Sequence, residues 1–228
     1  MDGIMLVAHG SRSDNGCIEH LADAVRELSG TPTALCYKRF GEPKIRHALE
    51  KNSGDGIDRL AVIPLFMSDG RYVQSIPRNL GLVAGSTSGT VDYGGRRISM
   101  TVASPIGLDE GIGDAVLGMV RDACPDDPAT TGVALIGHGM SRDGNDPTAA
   151  ILEDTGYRTS WVNGSPSEDL APAIGRLRSE GCSTVVVVPM RMSPLRIRVD
   201  ADVVVTGPAG TSNGIAGIVC RTAADILG

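Results

Sequence analysis

Two histidines close apolar runs and are each followed by glycine and, within four residues, by arginine: "VAHGSR" at 7–12 and "IGHGMSR" at 136–142. A neutral imidazole at the carboxyl end of a strand can accept a proton or give a lone pair to a metal ion near neutral pH. A neighbouring guanidinium suits an anionic ligand, because its planar fork grips carboxylate with two parallel N–H groups. Two further stretches, "FMSDGR" at 66–71 and "RMSPLR" at 191–196, supply hydroxyls and more arginine. The candidate chemistry-bearing set is therefore His9 and His138 with Gly10, Ser11, Arg12, Ser68, Arg71, Ser141, Arg142 and Arg196; Arg198 follows close behind. Ser11 and Ser68 read equally as ligands and as helix caps, and Gly10 and Gly139 serve a sharp turn as much as a site. His20 and His47 fall in amphipathic helical patterns and read as solvated.

These residues must be positioned by strands. Short Val/Ile-rich runs near 3–9, 33–38, 59–66 and 98–104 alternate with helical patterns near 17–29, 42–51 and 110–124. The second half repeats this, with strands near 132–137, 158–163, 184–190 and 202–206 and helices near 146–155, 169–180 and 213–227. Alternation of this kind predicts βαβ units and parallel sheets. The halves also match in detail: Pro64, Met67, Ser68 and Arg71 align with Pro189, Met192, Ser193 and Arg196, and "SPIGLDEGI" aligns with "GPAGTSNGI". The expected architecture is α/β: two similar Rossmann-like, flavodoxin-type lobes related by internal duplication and facing each other across a cleft. The lobes are expected at 1–124 and 132–228, joined by a linker over 125–131, where the chain is polar and rich in proline and aspartate. Ligands of open α/β sheets bind outside the carboxyl ends of the strands, where the candidate residues cluster.

Composition narrows the partners. The chain of 228 residues carries a net charge of −6 and no basic run, so nucleic acid is not an expected partner. No apolar stretch approaches the roughly 18 residues of a membrane-spanning helix, and the opening MDGIMLVAHG has no basic leader; a cytoplasmic protein is expected. Cys17, Cys36, Cys124, Cys182 and Cys220 are scattered without a C-x-x-C pair, which argues against a disulfide framework, a zinc ribbon or an iron–sulfur cluster.

The ordered set "LVAHGSR", "EPKIRHALEK" and "VIPLFMSDGRYVQSIP" resembles the CbiX-type sirohydrochlorin chelatases, strongly over residues 3 to 80 and more loosely in the second half. The resemblance implies a class II chelatase, a lyase that inserts cobalt, iron or nickel into a tetrapyrrole without a nucleotide. It implies metal binding on two histidines. One is His9. The other belongs in a stretch of the form P-L-F-x-S-x-G-x-H-V, where this sequence has "PLFMSDGRYV" and so places Tyr72; the counterpart in the repeat is Ile197.

A phenol is a poorer base and a weaker ligand than imidazole at neutral pH, so the departure matters. His138, from the other lobe, could supply the second imidazole, and Asp69 could add an oxygen. The expected assignment is metal on His9 and His138, catalysis by His9, Tyr72 and His138, and arginines holding substrate carboxylates. Loss of the second histidine leaves open a divergent enzyme acting on another small anionic substrate. It also leaves open a non-catalytic tetrapyrrole- or metal-binding protein. The duplication supplies two lobes in one chain, as a monomer or a homodimer. Glu42 and Pro43 read as the start of the second helix, with proline in its first turn.

Overall fold

In the computed structural model, residues 1–125, 127–137, 147–163 and 166–228 are described. Two sheets organise the chain. The first has the order β2-β1-β3-β5-β4, built from β1 (Asp2–Ala8), β2 (Thr33–Tyr37), β3 (Arg59–Leu65), β4 (Ser88–Tyr93) and β5 (Arg96–Val102). The second has the order β7-β6-β8-β9, from β6 (Thr131–Ile136), β7 (Arg158–Val162), β8 (Thr184–Pro189) and β9 (Val203–Val205). All neighbouring pairs are parallel except β4 with β5. The central strands β1, β3, β6 and β8 are buried almost throughout, because helices cover both faces of a parallel sheet and leave no polar side.

The helices are α1 (Gly16–Ser29), α2 (Ile45–Gly54), α3 (Arg71–Gln74), α4 (Ile76–Asn79), α5 (Ile112–Ala123), α6 (Pro147–Asp154), α7 (Pro166–Ser179) and α8 (Asn213–Leu227). Each long helix turns one apolar stripe to its sheet: α1 buries Ile18, Leu21, Ala22 and Val25, at helical spacing. The helix expected from residue 42 begins instead at Ile45. Pro43 and Lys44 run on as extended chain beside β2, with Tyr37 N–H donating to the Pro43 carbonyl at 2.9 Å and a parallel bridge between Tyr37 and Lys44. Glu42 and Pro43 therefore precede the helix rather than open it.

The duplication is written into the backbone hydrogen bonds of the two sheets. Ala103 N–H donates to Val62 at 2.9 Å and Thr206 N–H to Val187 at 3.0 Å; Phe66 donates to Pro64 at 3.0 Å and Arg191 to Pro189 at 2.9 Å; Gly107 donates to Phe66 at 2.9 Å and Gly210 to Arg191 at 3.3 Å. The first sheet adds β4, which has no counterpart in the second among the described residues. It leads into β5 through a two-residue turn between the paired Tyr93 and Arg96, where Gly94 (φ 59°) and Gly95 (φ 79°) both occupy the left-handed region that such a turn demands.

Grouped by packing, the chain forms one unit of Met1–Asp109 with Ile215–Gly228 and another of Glu110–Gly214. The units do not part at 125–131. Helix α5, which closes the first half in sequence, belongs to the second unit, and α8, which closes the second half, belongs to the first. Within the first unit, Arg221 of α8 donates to Asp109 at 2.7 Å and Cys220 Sγ lies 3.8 Å from the Val25 carbonyl of α1. A polar linker marks where the chain is solvated; it does not say which sheet a flanking apolar helix covers. No helix among the described residues is long and apolar enough to cross a membrane.

Candidate functional site

The first unit gathers its candidate residues at the carboxyl ends of β2, β1 and β3, which are adjacent in the sheet. His9 follows β1 directly. Its Nδ1 lies 3.0 Å from the Gly10 carbonyl oxygen. A carbonyl only accepts, so Nδ1 carries the proton of the neutral ring and Nε2 keeps its lone pair. Gly10 has φ 79°, and a Cβ there would sit 1.5 Å from the Phe40 carbonyl oxygen. Glycine is thus what lets the loop after β2 close over the His9 turn. That loop is stitched down by Arg39 and Phe40, whose N–H groups donate to the His9 carbonyl at 3.1 and 3.0 Å. Lys44 Nζ reinforces it by donating to the carbonyls of Arg39 and Gly41 at 2.8 and 2.7 Å.

Three aromatic rings surround the imidazole, all edge-on: Tyr72 with centroids 4.7 Å apart, Phe40 at 5.6 Å and Phe66 at 6.5 Å. Tyr72 stands on α3 and is 41% exposed. Its hydroxyl accepts from Arg39 Nη1 at 2.9 Å. The guanidinium carbons of Arg12 and Arg39 lie 4.8 and 4.9 Å from the Phe40 ring centroid, an attraction of about 0.5–1 kcal/mol each at exposed positions. Lys38 Nζ donates to Ser75 Oγ at 2.8 Å and also bonds Asn79, tying the loop to α3 and α4; partial burial lowers its pKa.

Arg12, Arg39 and Arg71 are exposed and have no ion-pair partner among the described residues. In a chain of net charge −6, that makes this rim locally cationic and ready for an anion. Ser11 is engaged by its own turn: its Oγ lies 3.1 Å from Ser13 Oγ and accepts from Ser13 N–H at 3.2 Å. Ser68 is partly buried and Asp69 exposed in the loop before α3. His20 is exposed, and His47 faces Glu42 at 3.8 Å on the surface. Among the described residues no three His, Cys, Asp or Glu side chains form a metal-holding group.

In the second unit His138, Gly139, Ser141 and Arg142 lie outside the described residues. The stretch after β8 forms no regular element, and its exposure alternates. Leu195, Ile197 and Val199 pack on the core, while Arg196 and Arg198 are exposed. Neither has an ion-pair partner among the described residues, whereas Arg178 takes the neighbouring Asp200 and Asp202 at 3.6 and 2.5 Å.

Nothing in the linear sequence singles out Arg39, Phe40, Phe66 and Arg191. Arg191 occupies the repeat position of Phe66; its Nε is buried and lacks a hydrogen-bond partner among the described residues, and burial lowers its pKa. The alignment of the two halves contained that exchange of a ring for a cation.

The family model of CbiX matches residues 3–123, which include every residue of the His9 site. The chain is 30% identical over 125 residues to sirohydrochlorin cobaltochelatase of Methanosarcina barkeri, covering 53% of this chain and 95% of the relative. It is 31% identical over 129 residues to the protein of the same name in Saccharolobus solfataricus, covering 54% and 95%. Solved structures of similar fold include SirB from Bacillus subtilis with Fe3+, at TM-score 0.68 and 18% identity over 99% of this chain and 95% of that one. Another is a multi-domain Deinococcus radiodurans protein with structural similarity to chelatases, at TM-score 0.76 and 23% identity over 98% of this chain and 55% of that one. The chain belongs to the CbiX family.

Proposed function

We propose that this protein inserts a divalent metal ion (cobalt, iron or nickel) into sirohydrochlorin or a closely similar tetrapyrrole, without a nucleotide. The carrying observation is His9, its Nε2 lone pair left free by the Nδ1–Gly10 hydrogen bond, in the stretch shared with relatives named sirohydrochlorin cobaltochelatase. Insertion exchanges two pyrrole N–H protons for one M2+ ion, so the site must hold the metal and accept protons. Neutral imidazole does either near pH 7. His9 and Tyr72 leave most of the metal's coordination to water and, at transfer, to the ring nitrogens. Such a sparse site suits an ion that has to leave it again. Phe40 and Phe66 line the imidazole with apolar surface, against which the flat face of a macrocycle can displace water.

The substrate carries eight carboxylates, and in the first unit the exposed guanidinium groups of Arg12 and Arg71 are there to meet them. Arg196 and Arg198 enter the proposal through their charge alone. Arg142, Ser141 and His138 enter the proposal through their chemistry alone, His138 as a second imidazole for metal or proton. The test is absorbance-monitored insertion into sirohydrochlorin with Co2+, Fe2+ or Ni2+ in nucleotide-free buffer. The expected result is a rate above the uncatalysed background with at least one metal. A background rate with all three overturns the proposal.

A further inference from the structure

We infer that Arg39 is the positioning residue that makes Tyr72 serviceable where the family pattern has a histidine; the inference rests on the function proposed above. Tyr72 needs an anchor. It is 41% exposed and stands on the four-residue helix α3, so neither burial nor a long helix fixes its ring. Arg39 provides that anchor from the loop after β2, which is bonded to the turn that carries His9. Its backbone N–H donates to the His9 carbonyl at 3.1 Å, and its Nη1 donates to the Tyr72 hydroxyl at 2.9 Å. Its guanidinium also lies 4.9 Å from the centroid of Phe40, the ring whose centroid is 5.6 Å from that of His9. One residue thus spans both members of the pair and is itself stacked. The preceding residue completes the hold, because Lys38 Nζ grips Ser75 Oγ at 2.8 Å just beyond the end of α3.

The chemistry explains why arginine accompanies tyrosine here. A guanidinium has only donors, so the phenol oxygen must accept. A second lone pair on that oxygen remains for a metal ion or a water, and the hydroxyl proton is left to point elsewhere. An imidazole nitrogen has a single lone pair. A histidine at 72 would have to spend it either on Arg39 or on the metal. Arg39 is therefore matched to Tyr72 and superfluous to a histidine. No ion-pair partner among the described residues draws it away.

A double-mutant cycle tests this, with Arg39→Gln and Tyr72→Phe read on Co2+ affinity by calorimetric titration and on the insertion rate. Each single change is expected to cost about five- to tenfold, and the pair no more than about twofold beyond the worse single, since coupled residues are non-additive. Arg39→Lys, which keeps a donor, should recover part of the loss, and in the Tyr72→His background Arg39→Gln should leave the Co2+ affinity unchanged. Losses of Co2+ affinity that multiply, an Arg39→Gln effect on that affinity undiminished in the Tyr72→Phe or Tyr72→His background, or no effect of Arg39→Gln on either readout would overturn the inference. Thermal melts of all variants separate misfolding from mispositioning. A parent protein without insertion activity, but with non-additive Co2+ affinities, would sustain the Arg39–Tyr72 coupling and remove the proposed reaction instead.

Discussion

At the scale of single residues, the site is a histidine whose tautomer is set by its own turn and whose ring is framed by parts from three strands. Gly10 is the residue on which this framing turns. Substituting Gly10→Ala forces a side chain into the left-handed region and into the Phe40 carbonyl, so the loop must move. We expect a loss of about 2 kcal/mol or more, read as a lowered midpoint in thermal or urea unfolding, together with weakened Co2+ binding. An alanine variant as stable as the parent would contradict the geometry. His9 and Gly10 were legible in "VAHGSR" because strand, histidine and turn are contiguous. Arg39, Phe40 and Phe66 were not. They meet His9 only because β2, β1 and β3 lie side by side, and nothing in a linear spacing announces that Arg39 reaches Tyr72 33 residues away.

At the scale of elements, the apolar runs identified the central strands well, since parallel strands buried on both faces read as continuous hydrophobic stretches. Strand β4 escaped because "SGTVDY" is an exposed edge whose pairing is made by the backbone and the Gly94–Gly95 turn. Helices α3 and α4 escaped because four residues are too few to show a period. In the stretch after β8, Arg196 and Arg198 are exposed while Leu195, Ile197 and Val199 anchor the chain to the core. Arg196→Gln with Arg198→Gln should raise KM for the polycarboxylate substrate about tenfold or more with little change in kcat, because charge-assisted bonds of about 1.5–3 kcal/mol are lost from ground and transition state alike. Steady-state kinetics decides it; an unchanged KM would remove this stretch from substrate binding.

At the scale of the whole molecule, the duplication was visible in sequence, but the allotment of α5 and α8 to the packed units was not. That depends on which sheet offers the complementary apolar face, a property of packing rather than of order along the chain. The cores also set a pH limit. Burial raises the Cys36 thiol from 9.0 to about 12, and burial with the nearby Glu19 raises the Tyr37 phenol from 10.0 to about 12. The folded state keeps both protons at pH values where the unfolded chain has released them. Their contribution is therefore complete below about pH 9 and is lost as pH rises toward 12. Melting temperature should be flat from pH 7 to 9 and then fall, and Cys36→Ala should fall less steeply. An equal slope in the two proteins would mean that Cys36 does not set the limit.

On the function proposed, His9 carries metal insertion in a site whose second position is a tyrosine. The most direct measurement compares the rate of Co2+ insertion into sirohydrochlorin by the parent and by His9→Ala, followed by absorbance with the uncatalysed rate subtracted. The expected result is a clear rate for the parent and a loss of about 10²-fold or more in His9→Ala, with the variant still folded by its melting curve. A folded His9→Ala protein that inserts metal as fast as the parent would contradict it.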